Sequence, residues 1–260
     1  MKKRTVNEIT LNSTYWASVS GGKDSWYMLN VILNNPVKYP LNGIVYFDLD
    51  IDYPFIKEVI NLMKKRVEPL GIPFLCIKPR KAWNELYNKY GYPTRVARWC
   101  NSKYKLDCKS QLTEWERAKG NQVHFYIGYC VDEVKRYEKR NKSNEIYPLV
   151  EEKIEEKYIL EWARKQEIYN DYYVYNDRCG CVGCPMASMK NEIYNYLYYN
   201  DLWLECMKKA METEKIREKE LGRPFSVWNS NPKYNTEYRM KRVAELAKML
   251  KVRTKQNELH

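Results

Sequence analysis

The stretch SVSGGKDSWYMLNVIL, Ser18–Leu33, decides the fold of this chain. The residues leading into it, TYWASVS, are small and β-forming and predict a buried strand, whereas DSWYMLNVILNN has helical spacing with a polar stop near Asn34. Gly21 and Gly22 lie between them, where two glycines let the backbone turn and let a ligand come close. Since a helix N-terminus points N–H groups outward, this strand, glycine turn and helix predict a seat for phosphate.

The side chains of the turn suit the same ligand. Lys23 adds a cation, Ser20 and Ser25 add hydroxyl donors, and Asp24 can hold a Mg²⁺ shared with the phosphates. The string matches neither the Walker pattern G-x-x-x-x-G-K-[ST] nor the dinucleotide pattern G-x-G-x-x-G. A different kind of phosphate loop is therefore indicated.

The segments that follow alternate between apolar runs and helical patterns. A second strand is predicted at Ile44–Phe47, with the acids of FDLDID at its carboxyl end, and a helix closed by Gly71 follows it. PFLCIKP is a third apolar run, a helix is predicted to end at Gly120, and Gln122–Cys130 is a further buried strand. This order predicts an α/β fold with an open, mostly parallel five-stranded sheet and helices on both faces, whose ligands bind at the carboxyl ends of the strands.

The C-terminal part has a different character. YPLVEEKIEEKYILEWARKQ reads as one charged amphipathic helix, DRCGCVGCP follows as a Cys/Gly turn, and mostly helical sequence runs to the end. We predict a nucleotide-binding domain over 1–175 and a cysteine-rich turn with a helical region over 176–260.

Composition narrows the function further. The formal charge of +12, from 45 Lys+Arg against 33 Asp+Glu, favours anionic ligands, and a solvated Lys-rich surface is the alternative. The chain has only two histidines, His124 and His260, so a mechanism with a histidine base or a His-rich zinc site is disfavoured. No run reaches the roughly 18 apolar residues of a membrane span and the N-terminus lacks a signal peptide's apolar region, so we expect a cytoplasmic protein without a membrane partner.

SVSGGKDS resembles the PP-loop of the adenine nucleotide α-hydrolase superfamily, whose members cut ATP between its α and β phosphates. The rest of the chain is similar to the phosphoadenosine phosphosulfate reductase-like branch. Its motifs occur in the same order here: YFDLDIDYP at 46–54, ARWCNSKYK at 97–105, GYCVDEVKR at 128–136 and RCGCVGCP at 178–185. The resemblance spans roughly residues 14 to 188 and implies an enzyme that binds ATP or a related adenine nucleotide with Mg²⁺.

The resemblance also implies roles for single residues. The phosphate-binding set would be Ser18, Ser20, Gly21, Gly22, Lys23, Asp24 and Ser25. Asp48 would lie near the adenosine, while Gly128, Asp132, Glu133 and Arg136 would line the nucleotide or its leaving group. The catalytic set comprises Lys23, Asp24, Asp132 and Arg136. The family usually has Arg directly after the glycine of the fourth motif, and here that residue is Tyr129.

Eight cysteines without an export signal point to metal or redox chemistry rather than a disulfide framework. Cys179, Cys181 and Cys184 form C-x-C-x-x-C in a Gly-rich turn, a spacing at which several sulfurs can converge on one metal. The resemblance suggests Cys100 as the fourth ligand, with Cys108 and Cys130 in reserve. Thiolate ligation without histidine suits a [4Fe-4S] cluster or Zn²⁺, and a thiol-rich tight turn is the structural alternative.

Three functions remain open from the sequence. The first is an ATP pyrophosphatase that adenylates a substrate for sulfur or nitrogen transfer, with a tRNA or DNA acceptor and a sulfur-donor protein as partners. The second is a sulfonucleotide reductase, which is weaker because the tail KVRTKQNELH lacks a cysteine and the last one, Cys206, precedes it in a helical segment. The third is a nucleic-acid-binding module that uses the 24 Tyr and 8 Trp, which at helical spacing are more often core residues.

Overall fold

The centre of the fold is a parallel sheet. The computed structural model describes residues 12–140, 143–169 and 172–257, with the backbone alone at 139–140 and 251–257. The strands are β1 (Ser13–Val19), β2 (Gly43–Phe47), β3 (Phe74–Ile77), β4 (Gln122–Tyr126) and β5 (Glu145–Ile146). All four pairings are parallel and give the order β3-β2-β1-β4-β5. The α/β class and the five-stranded parallel sheet are confirmed.

The helices connect and extend this sheet. In chain order they are α1 (Lys23–Asn34), α2 (Pro54–Val67), α3 (Trp83–Tyr90), α4 (Leu106–Ala118), α5 (Val134–Arg140), α6 (Pro148–Glu151), α7 (Glu156–Arg164), α8 (Tyr172–Tyr175), α9 (Met189–Tyr198), α10 (Asn200–Leu221) and α11 (Thr236–Asn257). From β1 the chain moves through β2 to β3 in one direction and then returns to β4 on the other side of β1. Since parallel crossovers are right-handed, this reversal puts α1 and α2 on one face of the sheet and α4 on the other.

The chain forms two compact units. The first consists of the described residues up to Arg80 together with Lys105–Cys179, and it contains the sheet. The second consists of Lys81–Tyr104 and the described residues from Gly180 onward. The two-part division predicted at residue 175 therefore differs in that Lys81–Tyr104 belongs with the C-terminal helices.

Each unit has its own apolar core. In the first, β2 is buried throughout, and β1 contributes Trp16, Ala17 and Val19. Continuous burial is typical of central strands covered on both faces. The core of the second unit includes Tyr92 from the 81–104 segment, Trp203 and Met207 of α10, Trp228, and Val243 of α11.

Three predicted elements have different bounds in the structure. The strand predicted over Gln122–Cys130 ends at Tyr126, because Gly128 begins the loop that packs against α1. The helix predicted to end at Gly120 is α4, which begins at Leu106 after a π-helical segment at Cys100–Lys105 and ends at Ala118. The single charged helix predicted after Tyr147 is two helices, α6 and α7, because the chain turns at Lys153 with φ +56°.

Within the part of the chain that the structure describes, no helix has the length and apolar character needed to cross a membrane.

Candidate active site

The glycine turn lies between β1 and α1 at the switch point of the sheet. Gly21 has φ +71°, and a Cβ there would lie 2.8 Å from Cγ2 of Ile56. Gly22 is extended and precedes α1, whose first hydrogen bond runs from the Trp26 N–H to the Gly22 carbonyl at 3.1 Å. The turn therefore requires glycine at position 21, and the N–H groups of Lys23, Asp24 and Ser25 come before the first helical bond.

Two hydroxyls hold the shape of this turn. Ser25 Oγ accepts the Ser20 N–H at 3.1 Å and donates to the Gly22 carbonyl at 2.9 Å. The hydroxyls of Ser20 and Ser25 are 3.3 Å apart. Ser18, the third serine predicted to bind phosphate along with Ser20 and Ser25, is half-buried within β1. The structure thus brings Ser20 and Ser25 together at the glycine turn, while Ser18 lies in the strand that leads into it.

Lys23 does not extend into solvent. Its side chain is 1% exposed, and its ammonium lies 2.7 Å from Asp24 Oδ1 and 3.1 Å from Glu156 Oε1. Burial alone would lower the pKa of Lys23, but Asp24 and Glu156 outweigh it and raise that pKa. Burial raises the pKa of Asp24, which the neighbouring ammonium opposes. The lysine predicted to be a ligand-facing cation is therefore a buried ion-pair partner here.

The fourth motif packs directly on the turn. A Cβ on Gly128 would lie 2.8 Å from the carbonyl oxygen of Asp24, so only glycine allows the two loops this close. The side chain of Asp132 accepts the Glu156 N–H at 3.1 Å and so caps α7. The structure brings Gly128, Asp132 and the phosphate loop to the same edge of the sheet.

Glu133 is the centre of a charged cluster beside the turn. Its carboxylate accepts the Cys130 N–H at 3.2 Å and is ion-paired with Arg136. Arg178 lies 3.1 Å from Glu133 and 3.1 Å from Glu156. Arg136 also stacks over Tyr129, 4.8 Å from its ring centroid. The predicted residues Glu133 and Arg136 are thus joined to the loop lysine through Arg178 and Glu156.

Asp48 lies at the end of β2, where its N–H continues the ladder to the Ile77 carbonyl at 3.0 Å. Its carboxylate is 3.6 Å from the Lys78 ammonium, which is also 3.0 Å from Asp50. Asp50 has φ +55° and donates its N–H to Asp48 at 3.3 Å. Asp48 and Asp50 thus form a polar edge at the carboxyl end of β2, and the role of Asp48 near the adenosine stays a prediction.

A tyrosine cluster covers the other side of the turn. The Tyr173 hydroxyl accepts the Lys23 N–H at 2.9 Å, and Tyr169 and Tyr172 pack on its ring. All three tyrosines are buried. A Cβ on Gly22 would lie 3.5 Å from the Tyr173 hydroxyl and 3.8 Å from Cys179 Cβ. These three tyrosines are therefore core packing around the loop, whereas Tyr175 is 53% exposed.

Sequence reasoning missed three residues of this site, Glu156, Arg178 and Tyr173. Each is more than 100 residues from the loop and belongs to no phosphate-binding pattern. The position of Arg178 directly before the C-x-C-x-x-C motif could have drawn attention to it. Only the fold, however, shows that the first cysteine of this motif lies beside the phosphate loop.

The predicted metal ligands are divided between the units. Cys179 belongs to the first, while Cys100, Cys181 and Cys184 belong to the second. Burial, and after it the electrostatic influence of Cys184, raises the pKa of Cys100. Among the described residues, no group of three or more His, Cys, Asp or Glu side chains is arranged to hold a metal ion. The ligand set Cys100, Cys179, Cys181 and Cys184 stays a prediction.

Comparison with known proteins gives limited likeness. No family model matches the chain. It is 28% identical over 233 residues to uncharacterized protein MJ0973 of Methanocaldococcus jannaschii, an alignment covering 83% of this chain and 52% of that protein. The chain thus spans about half the length of this relative.

Among solved structures, the chain is similar to the U34-tRNA thiolase NcsA from Methanococcus maripaludis with its [4Fe-4S] cluster. The match has 15% sequence identity and a TM-score of 0.42, and it covers 91% of this chain and 73% of the thiolase chain. A TM-score this low supports no inference about chemistry.

Proposed function

We propose that this chain is a PP-loop enzyme that binds ATP, or a related adenine nucleotide, at the turn between β1 and α1. The observation that carries the proposal is the turn itself. It joins the central strand to the N-terminus of α1, requires glycine at position 21, and lies beside the point where the strand order reverses. Backbone N–H groups at a helix N-terminus and at a switch point are the common seat of nucleotide phosphates.

The reaction we propose is cleavage of the bond between the α and β phosphates. A substrate oxygen attacks the α-phosphorus, the bond to the β-phosphate oxygen breaks, and pyrophosphate leaves with that electron pair. Sulfur or nitrogen then displaces AMP from the adenylated substrate. The protein's contribution is electrostatic, because the helix N-terminus and the charged cluster at Glu133 face the phosphate chain. Mg²⁺ enters as part of the nucleotide substrate.

The acceptor we propose is a nucleic acid such as tRNA. Most of the formal net charge of +12 lies in the second unit, where 81–104 alternates basic and aromatic residues. Phosphate backbones favour such surfaces. The five ordered motifs support the phosphoadenosine phosphosulfate reductase-like branch of the superfamily, and a sulfur-donor protein would supply the sulfur.

A sulfonucleotide reductase needs a reactive thiolate, and neither Cys206 nor Cys130 is suited to provide it. Burial raises the pKa of Cys206 to about 11, and Cys206 Sγ lies 3.7 Å from the Val182 carbonyl. Burial, with the charge of Asp24, also raises the pKa of Cys130. Since the thiolate is the nucleophile, both groups are poorly suited to attack sulfate sulfur at neutral pH. Sulfite release from phosphoadenosine phosphosulfate with thioredoxin tests this alternative.

The direct test is incubation with ATP, Mg²⁺ and a substrate panel that includes total tRNA. We expect AMP and pyrophosphate; steady formation of ADP would contradict the proposed cleavage. Ser25→Ala removes the hydroxyl that shapes the turn and should weaken ATP binding about tenfold. Ser110→Ala, on α4, removes a hydroxyl that donates to Glu114 and serves as the matched control.

The cysteine prediction is checked separately by elemental analysis and visible absorbance of anaerobically purified protein. Iron with sulfide or stoichiometric zinc, lost in Cys181→Ser, would support it. Metal-free wild-type protein would contradict it and leave the nucleotide proposal unaffected.

A further inference from the structure

Two arginines converge on one buried carboxylate beside the phosphate loop. Glu133, 3% exposed, is ion-paired through Oε1 with both Arg136 and Arg178. Its other oxygen accepts the Cys130 N–H at 3.2 Å. The carboxylate is therefore fixed by the backbone of its own loop, and it holds two guanidinium groups at one point.

Arg178 is anchored to the loop by further contacts. Its Nη2 lies 3.1 Å from Glu156 Oε2, while Glu156 Oε1 lies 3.1 Å from the Lys23 ammonium. Its carbonyl accepts the Tyr172 hydroxyl at 3.0 Å. The next residue, Cys179, has its Cβ 3.8 Å from where a Cβ on Gly22 would lie. Both the backbone and the side chain of Arg178 are thus held against the glycine turn.

The exposure of the charged groups decides which cations can meet a phosphate. The side chains of Arg178 and Arg136 are 54% and 49% exposed, whereas Lys23 is buried between two carboxylates. The acids behind the arginines are less accessible, at 3% for Glu133 and 20% for Glu156. The two arginines are therefore the most exposed groups of an ion-paired cluster in which three cations balance three carboxylates.

Guanidinium chemistry fits a polyphosphate. Arginine presents five N–H donors in a planar fork that matches two phosphate oxygens at once, and it stays charged at any pH the protein tolerates. Both arginines are paired with carboxylates, Glu133 and Glu156, and an incoming phosphate would meet their exposed faces. Charge-assisted bonds of this kind are roughly twice as strong as neutral ones.

We propose that Arg178, together with Arg136, binds the β- and γ-phosphates of the nucleotide, and that Glu133 and Glu156 hold the pair beside the turn. This inference rests on the proposed nucleotide site and adds its pyrophosphate subsite. Arg178 would then contribute to the affinity for ATP but not to the affinity for AMP, which lacks the β- and γ-phosphates.

The test is calorimetric titration of the full chain with ATP, AMP, adenosine and inorganic pyrophosphate. Arg178→Gln should weaken ATP and pyrophosphate binding about tenfold or more and change AMP and adenosine binding less than about twofold. Arg178→Lys keeps the positive charge but loses the planar guanidinium, so its affinities for ATP and pyrophosphate should lie between those of the wild type and Arg178→Gln. Arg117→Gln is the matched control, because Arg117 lies in the last turn of α4, which precedes β4 and so lies at the amino ends of the strands.

The outcomes separate the two proposals. If Arg178→Gln binds ATP like the wild type, or loses ATP and AMP equally, the pyrophosphate subsite is wrong while the loop site stands. Wild-type protein that binds no adenine nucleotide overturns both proposals. Circular dichroism verifies folding, and if Arg178→Gln does not fold, Arg178→Lys carries the same comparison.

Discussion

The two units use buried carboxylates in opposite ways. In the second unit, Glu214 is 5% exposed and accepts the N–H groups of Val227 and Thr236 at 3.0 Å. Glu192, fully buried, accepts the Trp203 indole N–H at 2.6 Å and is paired at 3.4 Å with Arg239, which is only 14% exposed. In the first unit, by contrast, Glu133 and Glu156 bind the side chains of Lys23, Arg136 and Arg178. The carboxylates of the second unit thus join buried elements, whereas Glu133 and Glu156 hold arginines that are about half exposed.

The largest expected effect is on the loop lysine. Lys23→Met would leave Asp24 and Glu156 without their buried cation, and we expect a loss of about 3–5 kcal/mol in the free energy of unfolding. Chemical denaturation measures it. Lys38→Met is the control, because Lys38 pairs with Glu152 at the surface and should cost less than about 1 kcal/mol. Equal losses in the two variants would remove the distinction between the site and an ordinary surface pair.

In the second unit, Glu214→Leu would leave the N–H groups of Val227 and Thr236 unsatisfied. We expect about 2–4 kcal/mol of destabilisation with unchanged ATP affinity, measured by thermal unfolding and calorimetry. Glu212→Leu, which removes an acceptor of the Tyr87 hydroxyl at the surface, should change stability by less than about 1 kcal/mol. A loss of ATP affinity in Glu214→Leu would break the comparison between the units.

Glu156 makes the stability of the site depend on pH. Burial raises its pKa, but Lys23 and Arg178 outweigh this, so the pKa is lowered overall. An acid with a lowered pKa stabilises the fold above its unfolded value and loses that contribution as the pH falls through the folded value. Glu156→Gln should therefore cost about 1–2 kcal/mol at pH 7, a gap that closes below about pH 4.

The control for this variant is Glu155→Gln, whose carboxylate pairs with Lys157 at the surface. The free energy of unfolding of Glu155→Gln should differ little from that of the wild type, both at pH 7 and below about pH 4. A pH-independent cost in Glu156→Gln would mean that the charge of Glu156 does not stabilise the cluster.

The smallest effect concerns one hydroxyl. Tyr173→Phe removes the acceptor of the Lys23 N–H and should destabilise the protein by about 1 kcal/mol. Tyr238→Phe in the second unit, at a 45% exposed tyrosine, should stay within about 0.5 kcal/mol of the wild type. Thermal unfolding of the two variants measures this difference. Equal changes in Tm would show that the hydrogen bond from the Lys23 N–H to Tyr173 contributes nothing to stability.

Local sequence patterns predicted the frame of this molecule well. Central strands covered on both faces need continuous apolar runs, and the turn at Gly21 needs a residue that tolerates positive φ, so both leave local signals. The partners of Lys23 leave none, because Glu156 and Tyr173 reach the loop only through the fold. The break between α6 and α7 was missed because Lys153 adopts a left-handed conformation without glycine.

That break fixes the sign of the charge next to the loop. Glu156 is the first residue of α7, and each residue of a helix advances the side chain direction by about 100°. Lengthening the turn after Lys153 by one residue would bring Glu155 to that first position and keep an acid there. Shortening it by one would bring Lys157, and two like charges would meet. The length of a short surface turn thus decides which side chain of α7 meets the buried ammonium of Lys23.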